Sequence, residues 1–212
     1  MKHWLSPLLV AALAATAGAD PFHPGLEVAV GYRSGGALVD GVDVGHVRGG
    51  HVDAGVRLLP SLLLYGEYDL TGLTYPAPTD SDGAARVGMT APTGSTGLQH
   101  RVGANARYTF DHVGGREGGL SFWAEGGPGI EHYVWDSGGV WTRPDFAIGL
   151  GTSSWFRSDH KYRGLSFSVR ATFAPKNNVG TAVSCGGPCD TATTASGWDR
   201  SVMWDLSMLF GR

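Results

Sequence analysis

Cys185 and Cys189 enclose Gly186-Gly187-Pro188 near the end of a 212-residue chain. Pro and Gly favour a tight turn that brings the two sulfurs together. In an exported chain such a pair reads as a structural disulfide closing a small loop. Metal or redox chemistry is the poorer reading, because no second Cys pair or neighbouring His completes a ligand set and the spacing is not Cys-x-x-Cys. His46 and His51 flank Arg48 and two glycines. A metal site there needs further ligands from elsewhere in the fold, so they read as isolated loop and lumen histidines. His100 and His132 stand in the apolar register of their segments, but each is followed by Arg-Val or Tyr-Val, and no His-x-Ser occurs in the chain. Glu67 and Asp69 lie two residues apart opposite a set of arginines, which points to charge balance in place of an acid–base pair for glycoside cleavage. No G-x-S-x-G, P-loop or dinucleotide fingerprint is present. No residue is expected to be catalytic, and no metal or cofactor is expected.

The segments that carry these residues alternate with a period of two, which puts successive side chains on opposite faces of a strand. Leu26, Val28, Val30 and Tyr32 share one face against Glu27 and Arg33. Val52 to Leu58 opposes His51, Asp53 and Arg57, and Leu62 to Leu70 opposes Glu67 and Asp69. Val102 to Phe110 opposes Arg101, Asn105 and Arg107; Leu120 to Ile130 opposes Glu125 and Glu131. Phe146 to Leu150 opposes Asp145 with Arg143 just before, Leu165 to Phe173 opposes Arg170, and Val202 to Phe210 opposes Asp205. These segments predict about eight strands, the pattern of an all-β barrel. Leu59-Pro60-Ser61 is a tight turn, and residues 111–119 and 157–163 are short to moderate connections. Residues 35–49, 72–97 and 176–197, rich in Gly, Thr, Ser, Pro and Asp, read as long loops, while 136–139 is short. Short turns at one end and long loops at the other is the layout of a transmembrane barrel.

Residues 1–19 form an address. Lys2 supplies the positive start, Leu5 to Ala17 an apolar run, and Ala17-Gly18-Ala19 a small-x-small cleavage site. This is the pattern of a secretory signal peptide, and the run is short for a spanning helix. Residues 20–212 are expected to form a single barrel domain. The chain has 34 Gly and 17% charged residues, with a net charge of -3. That charge argues against nucleic-acid binding through a strongly basic surface, and a 42% hydrophobic fraction argues against disorder.

Period alone does not say which face points inward. A soluble ligand-binding barrel turns its apolar face in; a membrane barrel turns it out. The polar face carries Glu27, Asp53, Glu67, Asp69, Glu125, Glu131, Asp145 and Asp205 against Arg33, Arg57, Arg101, Arg107, Arg143 and Arg170. Every base in that set is Arg, whose planar fork suits paired carboxylates in confined geometry. The set predicts a charge network that plugs a narrow lumen. Tyr32, Tyr68, Tyr108, Phe110, Trp198 and Phe210, towards strand ends on the apolar face, suit interfacial girdles.

With its signal peptide, alternating strands, the Gly-rich FWAEGGPGIE (residues 122–131) and the last strand VMWDLSMLF (residues 202–210), the chain resembles small outer-membrane β-barrels of the OmpA/OmpX type. The resemblance implies an eight-stranded antiparallel up-and-down transmembrane β-barrel in the outer membrane of a Gram-negative bacterium. It implies outer-membrane lipid and the barrel insertion machinery as partners, with an extracellular ligand at the loops. Terminal strands of the group usually end on an aromatic residue; here Gly211 and Arg212 follow Phe210. Some similar barrels hydrolyse lipid with a lipid-facing His and Ser two residues apart, a pair this chain lacks. The wall-tethering domain of longer relatives is not implied. The expected role is structural or surface interaction. The alternatives are a narrow channel for small solutes and a periplasmic barrel that binds lipid or a small molecule.

Overall fold

The computed structural model describes residues 25–39, 42–74, 96–115, 118–136, 140–158, 161–175 and 197–211. The segment 1–19 and the Cys185/Cys189 pair lie outside the described residues. Eight strands run in chain order: β1 Leu26–Val39, β2 Val42–Leu59, β3 Leu62–Thr74, β4 Thr96–Gly115, β5 Gly118–Trp135, β6 Val140–Ser158, β7 Lys161–Pro175 and β8 Trp198–Gly211. Each pairs antiparallel with its sequence neighbour, and β1 pairs with β8, which closes the barrel. Closure leaves no strand edge unpaired.

The strands are longer than the alternation alone suggested, reaching 20 residues in β4. The largest correction concerns residues 35–49, expected as a long loop. Of these, 35–39 continue β1 and 42–49 begin β2, paired with Gly36 opposite His46 and Val39 opposite Val42. A register shift between Gly36 and Leu38 absorbs the irregular sequence. Similarly, residues 111–115 extend β4 and 161–163 begin β7. The bulge between Thr109 and Asp111 matters for orientation: Asp111 is exposed, and His112 turns in to meet Ser121 at 2.8 Å. Gly114, with φ 146°, sits just before the β4–β5 turn in a conformation that side chains disfavour.

The apolar face lies outward and the polar face inward, the reverse of a barrel with an apolar ligand cavity. Outward positions over Gly50–Leu58, Leu62–Leu70, Leu165–Phe173 and Val202–Phe210 carry no Asp, Glu, Lys or Arg. Exposed Val52, Leu64, Phe167 and Leu206 are typical of the band. Exposed charges border it on both sides: Asp111 and Arg163 towards the short turns, Arg48, Asp136 and Arg200 towards the longer connections. Inside, small residues make room for large ones. A Cβ at Gly129 would stand 2.9 Å from both Arg101 Cζ and Asp145 Oδ1.

Candidate functional site: the lumen charge network

Inward-facing parity brings the charged residues together. Glu67 on β3 is the hub. It accepts hydrogen bonds from Arg101 on β4 and from Arg170 on β7, and Arg33 on β1 lies 3.5 Å away. In a ring of eight strands β7 stands opposite β3, so the Arg170–Glu67 pair crosses the full width of the lumen. Arg33 also donates to Asp69 at 2.5 Å and lies 3.5 Å from Asp205. Arg101 grips Asp145 on β6 with two hydrogen bonds, Nε to Oδ2 at 2.9 Å and Nη2 to Oδ1 at 2.7 Å. Arg170 donates to Asn105 at 3.1 Å.

Further clusters lie on either side of the hub. Towards the turns, Arg107 donates twice to Glu125, at 2.9 and 3.0 Å, and Tyr65 Oη donates to the same carboxylate at 2.6 Å. The Arg107 guanidinium stacks 3.9 Å from the ring centre of Trp123, a cation–π contact strengthened by desolvation. Arg57 pairs with Glu27 and donates to the Pro60 carbonyl at 3.1 Å, which ties the network to the β2–β3 turn. Towards the longer connections, Arg143 joins Glu131 at 2.7 Å and Asp199 at 2.5 Å. Tyr133 Oη donates to Glu131 and accepts from Arg143 and Gln99.

The fourteen charged residues read from the sequence thus all face the interior. Asp53 is the loosest: its nearest partner is His51 at 3.9 Å, and its Oδ1 has no hydrogen-bond partner among the described residues. Tyr65, Gln99, Tyr133 and Asp199 belong to the network but were not read as part of it. Parity carried the signal, since each shares a face with a charged neighbour two, four or six residues away. Asp199 was missed because β8 begins at Trp198, earlier than its apolar run.

His51 falls in the lumen, but not in isolation. Its Nδ1 lies 3.0 Å from Asp205 Oδ2 and its Nε2 3.1 Å from Ser207 Oγ. The connectivity is that of a Ser-His-Asp triad, yet Ser207 also gives its proton to Asp205 at 2.5 Å. All three residues are 3–4% exposed. The arrangement acts as a hydrogen-bonded brace between β2 and β8. His46 is exposed and bonds Ser34 Oγ at 2.7 Å. His100 and His132 face outward, as their register predicted.

A cavity of about 10 Å³ lies among Glu27, Asp53, Tyr65 and Arg107, about the room that one water requires.

No protein-family model matches the chain, and no curated protein matches it. Solved structures do. Neisserial surface protein A superposes with a TM-score of 0.56 at 14% identity, over 89% of this chain and 97% of that one. Ail, the attachment invasion locus protein of Yersinia pestis, gives 0.39 at 12% identity, over 89% and 99%. The N-terminal barrel domain of Pseudomonas aeruginosa OprF gives 0.42 at 11%, over 87% and 98%. The first of these shows that the fold is shared with a small bacterial surface protein.

Proposed function

We propose that the chain is an outer-membrane β-barrel whose lumen is closed by its charge network, with a structural or surface-interaction role carried by the end bearing the longer connections. The charge-free outward band, bordered by Arg48, Asp136 and Arg200 on one side and Asp111 and Arg163 on the other, supports the membrane setting. Its runs match the roughly 9–11 residues a tilted strand needs to cross a bilayer. Both termini of the barrel then face the periplasm, and the longer connections face outside. Outer-membrane lipid and the insertion machinery are the partners this reading requires, and an extracellular ligand would meet the loops. The role is not enzymatic.

One observation carries the closed lumen: arginines from β1, β4 and β7 converge on Glu67, one of them from the opposite wall. Planar-bilayer recording tests it. The purified full chain is expected to insert without steady single-channel steps, and Glu67→Gln to leave at most brief openings. Steady ohmic conductance of the native protein would favour a narrow solute channel instead.

A further inference from the structure

Polar side chains from four consecutive strands meet on the outward wall, which the lumen network does not reach. His100 on β4 and His132 on β5 are direct cross-strand partners. Tyr68 on β3 flanks His100, and Thr142 on β6 flanks His132. Two residues before and after each histidine, on the same face, stand Leu98, Val102, Ile130 and Val134, all large exposed hydrophobics. Titratable side chains on such a wall are costly and ordinarily serve a function. Exposed Asp136 follows His132 by four residues, so the pair lies near the edge of the band, within reach of aqueous ions.

The flanking hydroxyls orient the rings. Tyr68 Oη lies 2.8 Å from His100 Nδ1, and Thr142 Oγ1 lies 2.8 Å from His132 Nδ1. Both Nδ1 atoms therefore turn away from the pair, one towards β3 and the other towards β6. In imidazole the Cδ2–Nε2 edge lies across the ring from Nδ1, so the two Nε2 edges turn towards each other. The ring centres stand 6.2 Å apart, with the planes at 54°. A ligated metal ion sits on the line from the ring centre through the bonded nitrogen. With metal–nitrogen bonds of about 2.0–2.1 Å, two rings sharing one ion have centres about 4.5–6.4 Å apart, from a right-angled to a straight arrangement. The observed spacing falls within that range.

The hydrogen bonds are compatible with ligation. An Nε2 that binds a metal offers its lone pair, which leaves the ring proton on Nδ1. A hydroxyl oxygen can accept as well as donate, so Tyr68 and Thr142 can each take that N–H. Ligating histidines ordinarily have such an outer partner. No third His, Cys, Asp or Glu joins the pair among the described residues. That disfavours zinc, whose protein sites use three or four side chains. Cu2+ binds a given nitrogen set more tightly than the other divalent ions of its row, and its tetragonal geometry accommodates water beside two imidazoles.

We propose that His100 and His132 form a two-histidine site for a divalent transition-metal ion on the outer wall of the barrel, with Cu2+ held most tightly. Both Nε2 atoms ligate, and water completes the coordination. The Tyr68 and Thr142 hydroxyls position the rings by accepting from Nδ1–H. The bound ion ties β4 to β5 across the outer surface. The site was not legible as a motif, because the two histidines are far apart in sequence and only the β4–β5 ladder makes them neighbours.

Cu2+ titration of the full chain, refolded in neutral detergent and followed by electron paramagnetic resonance, tests the site. The native protein is expected to bind Cu2+ with a spectrum split by two equatorial imidazole nitrogens. His132→Gln, which keeps a polar side chain on the wall, is expected to lose one nitrogen from that pattern and to bind at least about tenfold more weakly. The double variant His100→Phe/His132→Phe is expected to lose the signal while keeping the barrel's heat-dependent gel shift. Tyr68→Phe is expected to keep both nitrogens and to weaken binding about tenfold, the usual effect of removing an outer partner. His46→Phe is expected to bind as the native protein does. A native spectrum without imidazole splitting overturns the site. So does an unchanged affinity and nitrogen pattern in His132→Gln or in the folded double variant, which would place the copper elsewhere in the chain.

Discussion

Glu67 and Asp53 face the same lumen, yet their substitution should have opposite consequences. Glu67 holds arginines from three strands. Glu67→Gln leaves those cations buried without their shared counter-charge, a change that typically costs about 3–5 kcal/mol. Asp53 has only a histidine at 3.9 Å and an unbonded Oδ1, so Asp53→Asn should change stability by less than about 1 kcal/mol or raise it. Urea unfolding of the two variants in lipid vesicles, followed by tryptophan emission, checks the contrast; equal losses would contradict it. The charged members of the network were legible in the sequence because inward parity and the choice of Arg coincide. Which carboxylate is the hub was not legible. That depends on Arg170 reaching across the barrel, and strand pairing alone does not reveal contacts between opposite walls.

At the scale of elements, the alternation located all eight strands but misjudged their ends. Residues 35–49 read as loop because Gly and Asp punctuate them, and both residue types disfavour strands in isolation. The hairpin forms there because each backbone group finds its partner across the β1–β2 ladder. Amide hydrogen exchange distinguishes the two cases: Gly35 and Val47 should be protected to within tenfold of Val30 and Val52, and exchange at loop rates would contradict the hairpin. The glycines of the barrel divide by face in the same way. A Cβ at Gly151 would collide with the Trp123 ring, whereas one at outward Gly66 meets only the Gly103 carbonyl at 4.0 Å. Gly151→Ala is therefore expected to cost about 1–3 kcal/mol through overpacking, and Gly66→Ala to be tolerated. The midpoint temperature of the gel shift reads both. Sequence composition revealed the excess of glycine, but only the packed lumen separates a glycine required by a neighbouring ring from an outward one whose Cβ would meet almost nothing.

For the molecule as a whole, the distribution of charge over two surfaces carries the argument. Among the described residues, ion pairs fill the inside, the outward band holds none, and exposed charge returns where the band ends. Alternation in the sequence gave the two surfaces without their direction, because a soluble barrel shares the same period. The direction follows from volume: Trp123, Tyr133 and six arginines with their carboxylates occupy the enclosed side. A cation placed on the outer surface should be penalised accordingly. Leu206→Arg, mid-band on β8 and now 52% exposed, is expected to lose about 2–4 kcal/mol in a bilayer and much less in detergent micelles. The most direct measurement is electrophoresis of the washed membrane fraction with and without boiling. The account predicts that the protein is found in that fraction and changes mobility only after heating, as a closed barrel seated in lipid does. Recovery from the soluble periplasmic extract, with a mobility indifferent to boiling, would contradict it.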